Sequence, residues 1–229
     1  MALNIVSEID GRVSVRHVLM SVSDKTGLDT FVPGLVAACP DVKIFSTGGT
    51  YTAVRQILGD ALAARHLTPV SDYTGQPEMQ GGLVKTLDFK IYLGILSETY
   101  NPAHQQDLAR TRAAAIDMVV VNLYPFTQTV AKPDVTPETA RTNIDIGGPC
   151  MVRASAKNYL RVASVTDPAD YPRILAELAA NNGTLAFATR FSLMQKAFRH
   201  TANYDTAIAA HFAATSPETA RTAYTLHNC

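Results

Sequence analysis

Apolar residues in this chain recur in two rhythms. Short unbroken runs stand at HVLMSV (17–22), VKIFS (42–46), the apolar centre of DMVVVNLYPF (117–126) and RVASVTD (161–167). Runs of that length without alternation are expected of parallel strands buried on both faces. Between them, apolar positions return every three or four residues: through Leu28, Phe31 and Leu35, after Gly49, from Pro149 to Asn158, over 168–183, and over 186–213. The order strand, turn, helix predicts an α/β fold, a mostly parallel sheet with helices on both faces. Finer expectations follow from single residues. Pro33 should kink or shorten the first helix, a helix should begin near Pro149, and the long segment at 186–213 has a candidate break near Asn203. Residues 1–14 read as a polar lead-in and Thr215–Cys229 as a loosely ordered tail. With no linker or repeat in view, residues 1–229 read as one domain.

The chemistry gathers where strands end. In SVSDKTG (21–27), Ser21, Ser23, Asp24 and Thr26 are capping types, and Lys25 adds a cation. In STGGT (46–50), Thr47, Gly48, Gly49 and Thr50 combine hydroxyls, backbone that a phosphate can approach and a helix N-terminus. A single Gly-Gly turn is usually only a turn, but two such loops after successive strands point to one phosphate cradle. Residues 69–87 read as a functional loop in which Lys85 and Thr86 follow Gly81-Gly82. The central strand delivers Asn122 and Tyr124 at its carboxyl end, where they can converge with Lys25, Thr47 and Lys85. The densest stretch is NIDIGGPCMVRASAKN (143–158), with Asp145 before Gly147 and Gly148, and Arg153 and Lys157 on one helix face. Asp145 and Lys157 read as an acid/base or ion pair at a site for a small anionic substrate. The bland alternatives are a solvated helix, a surface lysine at Lys85 and a core tyrosine at Tyr124.

Composition narrows the class. Twenty basic and twenty acidic residues leave zero formal charge, so neither nucleic acid nor a membrane surface is an expected partner. No apolar run reaches the length of a spanning helix, and the acids in MALNIVSEIDGR do not suit a signal peptide. Three scattered cysteines indicate a reduced, cytoplasmic protein, and six scattered histidines predict no structural metal. Cys150 reads as a small packed cysteine rather than a reactive thiol.

Taken in order, SVSDKTG, STGGT, SDYTGQPEM, VKTL, NLYPF, NIDIGG, RASAKN and KAFRHTANYD closely resemble the inosine monophosphate cyclohydrolase domain of the bifunctional formyltransferase/cyclohydrolase family of purine biosynthesis. The likeness runs from about His17 to Phe212. It implies a methylglyoxal-synthase-like α/β fold, a homodimer, no cofactor, and dehydrative ring closure of 5-formamidoimidazole-4-carboxamide ribotide. By motif match, Ser21, Ser23, Lys25, Thr47, Gly49, Thr50 and Thr86 would hold phosphate and ribose. Lys85 would stand between phosphate and base, and Asn122, Tyr124, Asp145, Ile146, Gly147 and Lys157 would surround the heterocycle and formyl group. Lys157, with Tyr124 and Asp145, would manage the oxyanion and proton transfers, and Lys85 would polarise the substrate.

Where the family commonly reads GRVKTLHPKVHGG, this chain reads GLVKTLDFKIYLG, so Leu83, Asp88, Phe89 and Tyr92 depart from it, as does Tyr159 in AKNY. Leu83 replaces an arginine that the family pattern would set against the phosphate. A non-catalytic purine-nucleotide-binding or regulatory module therefore stands as the alternative, with a lyase for a small phosphorylated ketone ranked behind it. Formyl transfer would fall to a separate chain or to a part of the protein beyond this sequence.

Overall fold

A computed structural model describes residues 5–77 and 85–227. Strands are β1 (Arg12–Ser14), β2 (His17–Val22), β3 (Lys43–Ser46), β4 (Leu67–Pro69), β5 (Met118–Asn122), β6 (Ala163–Val165) and β7 (Thr184–Ala186). Helices are α1 (Leu28–Ala38), α2 (Gly48–His66), α3 (Val70–Thr74), α4 (Phe89–Leu96), α5 (Pro102–Thr111), α6 (Phe126–Val130), α7 (Pro137–Thr142), α8 (Gly147–Lys157), α9 (Tyr171–Ala180), α10 (Phe187–Ala213) and α11 (Pro217–Arg221). Five strands form one parallel sheet in the order β4-β3-β2-β5-β6, with β2 at its centre.

Side-chain alternation on the inner strands divides the core. Val18, Met20, Ile44, Met118 and Val120 face the layer built by α1, α2 and α9. Leu19, Phe45, Val119 and Val121 face α4, α8 and α10. The period of two along a strand makes this division, and unbroken apolar runs are what a sheet covered on both faces requires. All five strands run the same way, so β2, β3 and β5 deliver the residues that follow them to one edge.

The amino edge is pinned by Arg161. Its guanidinium donates to the carbonyl oxygens of Gly94, Ile95, Ser97 and Ile116 and to the Asp117 carboxylate at 3.1 Å. Asp117 in turn accepts from the backbone N–H groups of Arg16 and His17, both at 2.9 Å. The pair thus joins the starts of β2 and β5 to the end of α4.

Several local expectations change. The lead-in is not all loop, because β1 pairs antiparallel with β7. Helix α1 runs through Pro33 without stopping, and it is entered through Gly27 in a left-handed conformation (φ 74°) rather than through a hydroxyl cap. Asp24 instead accepts from the Thr26 N–H and hydroxyl. Helix α8 begins at Gly147, two residues before Pro149. Helix α10 crosses Asn203 unbroken. The tail carries α11, and the Tyr224 hydroxyl donates to Glu138 on α7.

Candidate active site

A cleft of about 800 Å³ opens at the carboxyl edge of the sheet. At one end, Thr47 closes β3 and leads into α2, whose first N–H groups have no intrahelical acceptor. Gly48 takes φ +47°, a conformation glycine adopts without penalty. Two ammonium groups flank this turn: a Cβ built on Gly48 would lie 3.9 Å from Lys85 Nζ, and one on Gly49 would lie 3.8 Å from Lys25 Nζ. The Ser21 and Thr47 hydroxyls meet at 3.2 Å, and Lys25 Nζ reaches the Ser23 carbonyl at 3.4 Å. Hydroxyls, two cations and the positive end of α2, which is kinked at Gly59 (φ 69°, ψ 167°), converge on one small volume.

Two predicted ligand-binding residues have their polar groups engaged within the protein. The Thr50 hydroxyl accepts from Val22 N–H at 2.9 Å and donates back to Val22 O at 3.0 Å. The Asn122 amide accepts from Asp24 N–H and donates to Asp24 O, each at 2.8 Å. Thr50 therefore ties α2 to the end of β2, and Asn122 holds the Ser23–Lys25 loop against β5.

The other end is made by the turn into α8. Asp145 Oδ1 accepts from Gly148 N–H at 2.8 Å, and the Asp145 N–H donates to the Tyr204 hydroxyl at 2.8 Å. Burial raises the Asp145 carboxyl above its ordinary value, against the lowering effect of N–H groups from Gly148 and Tyr124. The turn needs its glycines. A Cβ on Gly148 would collide with the Asp145 carboxylate, and one on Gly147 would stand 2.5 Å from Thr86 Oγ1. Tyr124 (48% exposed) and Ile146 (59%) offer apolar surface at the cleft wall, where a planar ring can rest. A neighbouring cavity of about 260 Å³, lined by Tyr51, Pro69, Val70 and Gln76, shares Thr47, Gly48 and Lys85 with the cleft.

Thirteen of the fourteen residues singled out from the sequence line the cleft: Ser21, Ser23, Lys25, Thr47, Gly49, Thr50, Lys85, Thr86, Asn122, Tyr124, Asp145, Ile146 and Gly147. Lys157 is not among them. It is exposed in the last turn of α8, roughly 15 Å along the axis from Gly147 at about 1.5 Å per residue. Arg153, one turn earlier, lies over the Phe198 ring at 5.8 Å. Sequence reasoning gave no role to Thr142 and Ile144, which also line the cleft, or to Tyr204, which holds the turn. Only KAFRHTANYD signalled Tyr204, and its 59-residue separation from Asp145 hid the contact.

The departures from the family pattern fall outside the cleft lining wherever they are described. Asp88 caps α4 by accepting from Lys90 N–H at 2.7 Å, and Phe89 is a surface residue. The Tyr92 hydroxyl is buried beside Cys150, which helps raise its pKa after burial itself. Tyr159 packs against Phe187 and Phe191. Leu83 lies outside the described residues.

Residues 28–150 match the MGS-like domain family. The chain belongs to that family. Residues 155–228 match the AICARFT/IMPCHase bienzyme family, so the two matches together support the resemblance carried by the eight motifs. Over 192 residues the MGS-like chain is 51% identical to the bifunctional purine biosynthesis protein PurH of Neisseria meningitidis serogroup A / serotype 4A. That alignment covers 84% of this chain and 35% of the relative, so the chain spans about a third of that protein's length. Among solved structures, the crystal structure of ForH superposes with a TM-score of 0.72 at 31% identity. The match covers 87% of this chain and all of that one, so the fold described here accounts for the whole of the ForH chain. Among the described residues no cluster of three or more His, Cys, Asp or Glu is placed to hold a metal, and no helix is long and apolar enough to cross a membrane.

Proposed function

We propose that the cleft closes the purine ring of 5-formamidoimidazole-4-carboxamide ribotide to inosine monophosphate. The observation that carries this reading is the joining of a phosphate cradle, at Thr47–Gly49 with Lys25, through Lys85 to a carboxylate and an aromatic wall, at Asp145 and Tyr124, in one cleft. A 5′-phosphate docks at the α2 N-terminus, and the heterocycle lies against Tyr124 and Ile146 with its formyl group toward Lys85 and Asp145.

In the reaction, the carboxamide nitrogen attacks the formyl carbon and charge builds on the formyl oxygen. The Lys85 ammonium stabilises that oxygen. Asp145, with its carboxyl pKa raised by burial, takes the carboxamide proton and returns it to the oxygen. A second proton, from the formamido nitrogen, lets that oxygen depart as water, and the Tyr124 hydroxyl relays protons at the open side. Both reacting groups belong to one molecule, so much of the acceleration comes from holding them together.

Lys157 takes no part in this version, because the fold sets it at the far end of α8. The reading carries with it a cytoplasmic homodimer and a formyl-transfer step upstream, on another chain or elsewhere in the same protein. Its test is ultraviolet-monitored formation of inosine monophosphate from the formamido ribotide by the purified chain. Turnover supports the reading. Tight binding of inosine monophosphate without turnover would select the non-catalytic module instead.

A further inference from the structure

We infer that Tyr204, on α10, is a positioning residue that sets the aim of the Asp145 carboxylate. This rests on the cyclohydrolase reading of the cleft and adds to it a residue more than fifty positions away in the chain. The Tyr204 hydroxyl accepts the Asp145 N–H at 2.8 Å and donates to the Asn143 carbonyl at 3.2 Å. One oxygen therefore clamps both ends of the three-residue turn that presents Asp145, Ile146 and the start of α8.

The same side chain also packs behind the segment that carries Tyr124. Its ring meets Phe126 edge-on with centroids 6.3 Å apart, and Phe126 follows Tyr124 and Pro125 directly in the chain. Helix α10 thus braces the Asp145 turn and the segment that follows Tyr124 with a single side chain, by hydrogen bonds to the first and by packing on the second. Asp145 has no long lever of its own. Its backbone is fixed by Tyr204 and its carboxylate by Gly148 N–H, so releasing the first lets the second drift. A misplacement of about an ångström at a reacting group is enough to cost on the order of a hundredfold in rate.

Tyr204→Phe removes both hydrogen bonds and keeps the ring against Phe126. The variant should fold, bind inosine monophosphate within about threefold of the parent, and lose at least tenfold in kcat. The carboxylate limb of its kcat–pH profile should move, and a carbon-13 titration should show the Asp145 carboxyl falling toward its ordinary pKa as the turn loosens and water enters. A kcat equal to the parent's in the folded variant would overturn the inference, whatever the titration shows. If the parent itself turns over no ribotide, the cyclohydrolase reading fails separately. The clamp is then judged by titration alone, and an unmoved Asp145 carboxyl would overturn it.

Discussion

At the scale of single residues, the cleft separates groups that line its open space from groups that shape the loops. Lys25 and Lys85 stand beside the glycine turn, so Lys25→Ala should weaken inosine monophosphate binding by about tenfold or more while leaving inosine, which lacks the phosphate, unaffected. Calorimetry with the two ligands checks this, and equal losses for both would show that the phosphate lies elsewhere. Lys157 gives the opposite expectation. Asp145 and Lys157 share one sequence motif, yet Asp145 stands in the turn before α8 and Lys157 in that helix's last turn. Lys157→Ala should therefore turn over near the parental rate. A collapse of turnover in a folded Lys157→Ala chain would mean that a second copy's α8 completes the cleft. Residue types at strand ends were legible because glycine, lysine and hydroxyl side chains advertise phosphate chemistry. The internal engagement of Thr50 and Asn122 was not, since nothing in a sequence says which hydroxyl spends both its bonds on a neighbouring strand.

At the scale of elements, the four short apolar runs all proved to hold sheet strands, because burial on both faces demands side chains that are apolar without interruption. The other three strands, β1, β4 and β7, carry no such signal. Their conformation is imposed by the partner strand rather than by local preference. Pro33 misled for a related reason: packing of Phe31, Val32 and Leu35 into the core outweighs one missing helical hydrogen bond. Two joints between elements are open to test. Thr50→Val leaves the Val22 N–H and carbonyl without their buried partner, at a cost of about 1–3 kcal/mol. Denaturant unfolding would reveal it, and an unchanged midpoint would show that α2 is held by other contacts. Arg161→Met strands the Asp117 carboxylate in the core, and losing one partner of a buried pair typically costs about 3–5 kcal/mol.

At the scale of the whole molecule, pH acts through groups that the fold keeps from their ordinary ionisation. His200 has its pKa lowered from 6.5 by burial, opposed by Asp167, with Lys196 adding to the depression. Below about pH 6.5 the unfolded chain takes up a proton that the folded imidazole resists, so stability falls with acidification through that range. The parent's melting temperature should fall more steeply than that of His200→Gln between about pH 7 and pH 5.5, and parallel curves would rule His200 out. The layered architecture could be argued from strand and helix order alone, whereas the cleft's two-ended form needed the sheet order that sets β3, β2 and β5 side by side.

That arrangement is the centre of the account, and one assay reaches it most directly: conversion of 5-formamidoimidazole-4-carboxamide ribotide by the parent chain and by Asp145→Asn, followed in the ultraviolet under identical conditions. The account predicts steady formation of inosine monophosphate by the parent and a rate lower by about a hundredfold or more in the variant. A parent that binds the ribotide without converting it, or a variant that keeps the parental rate, would contradict it.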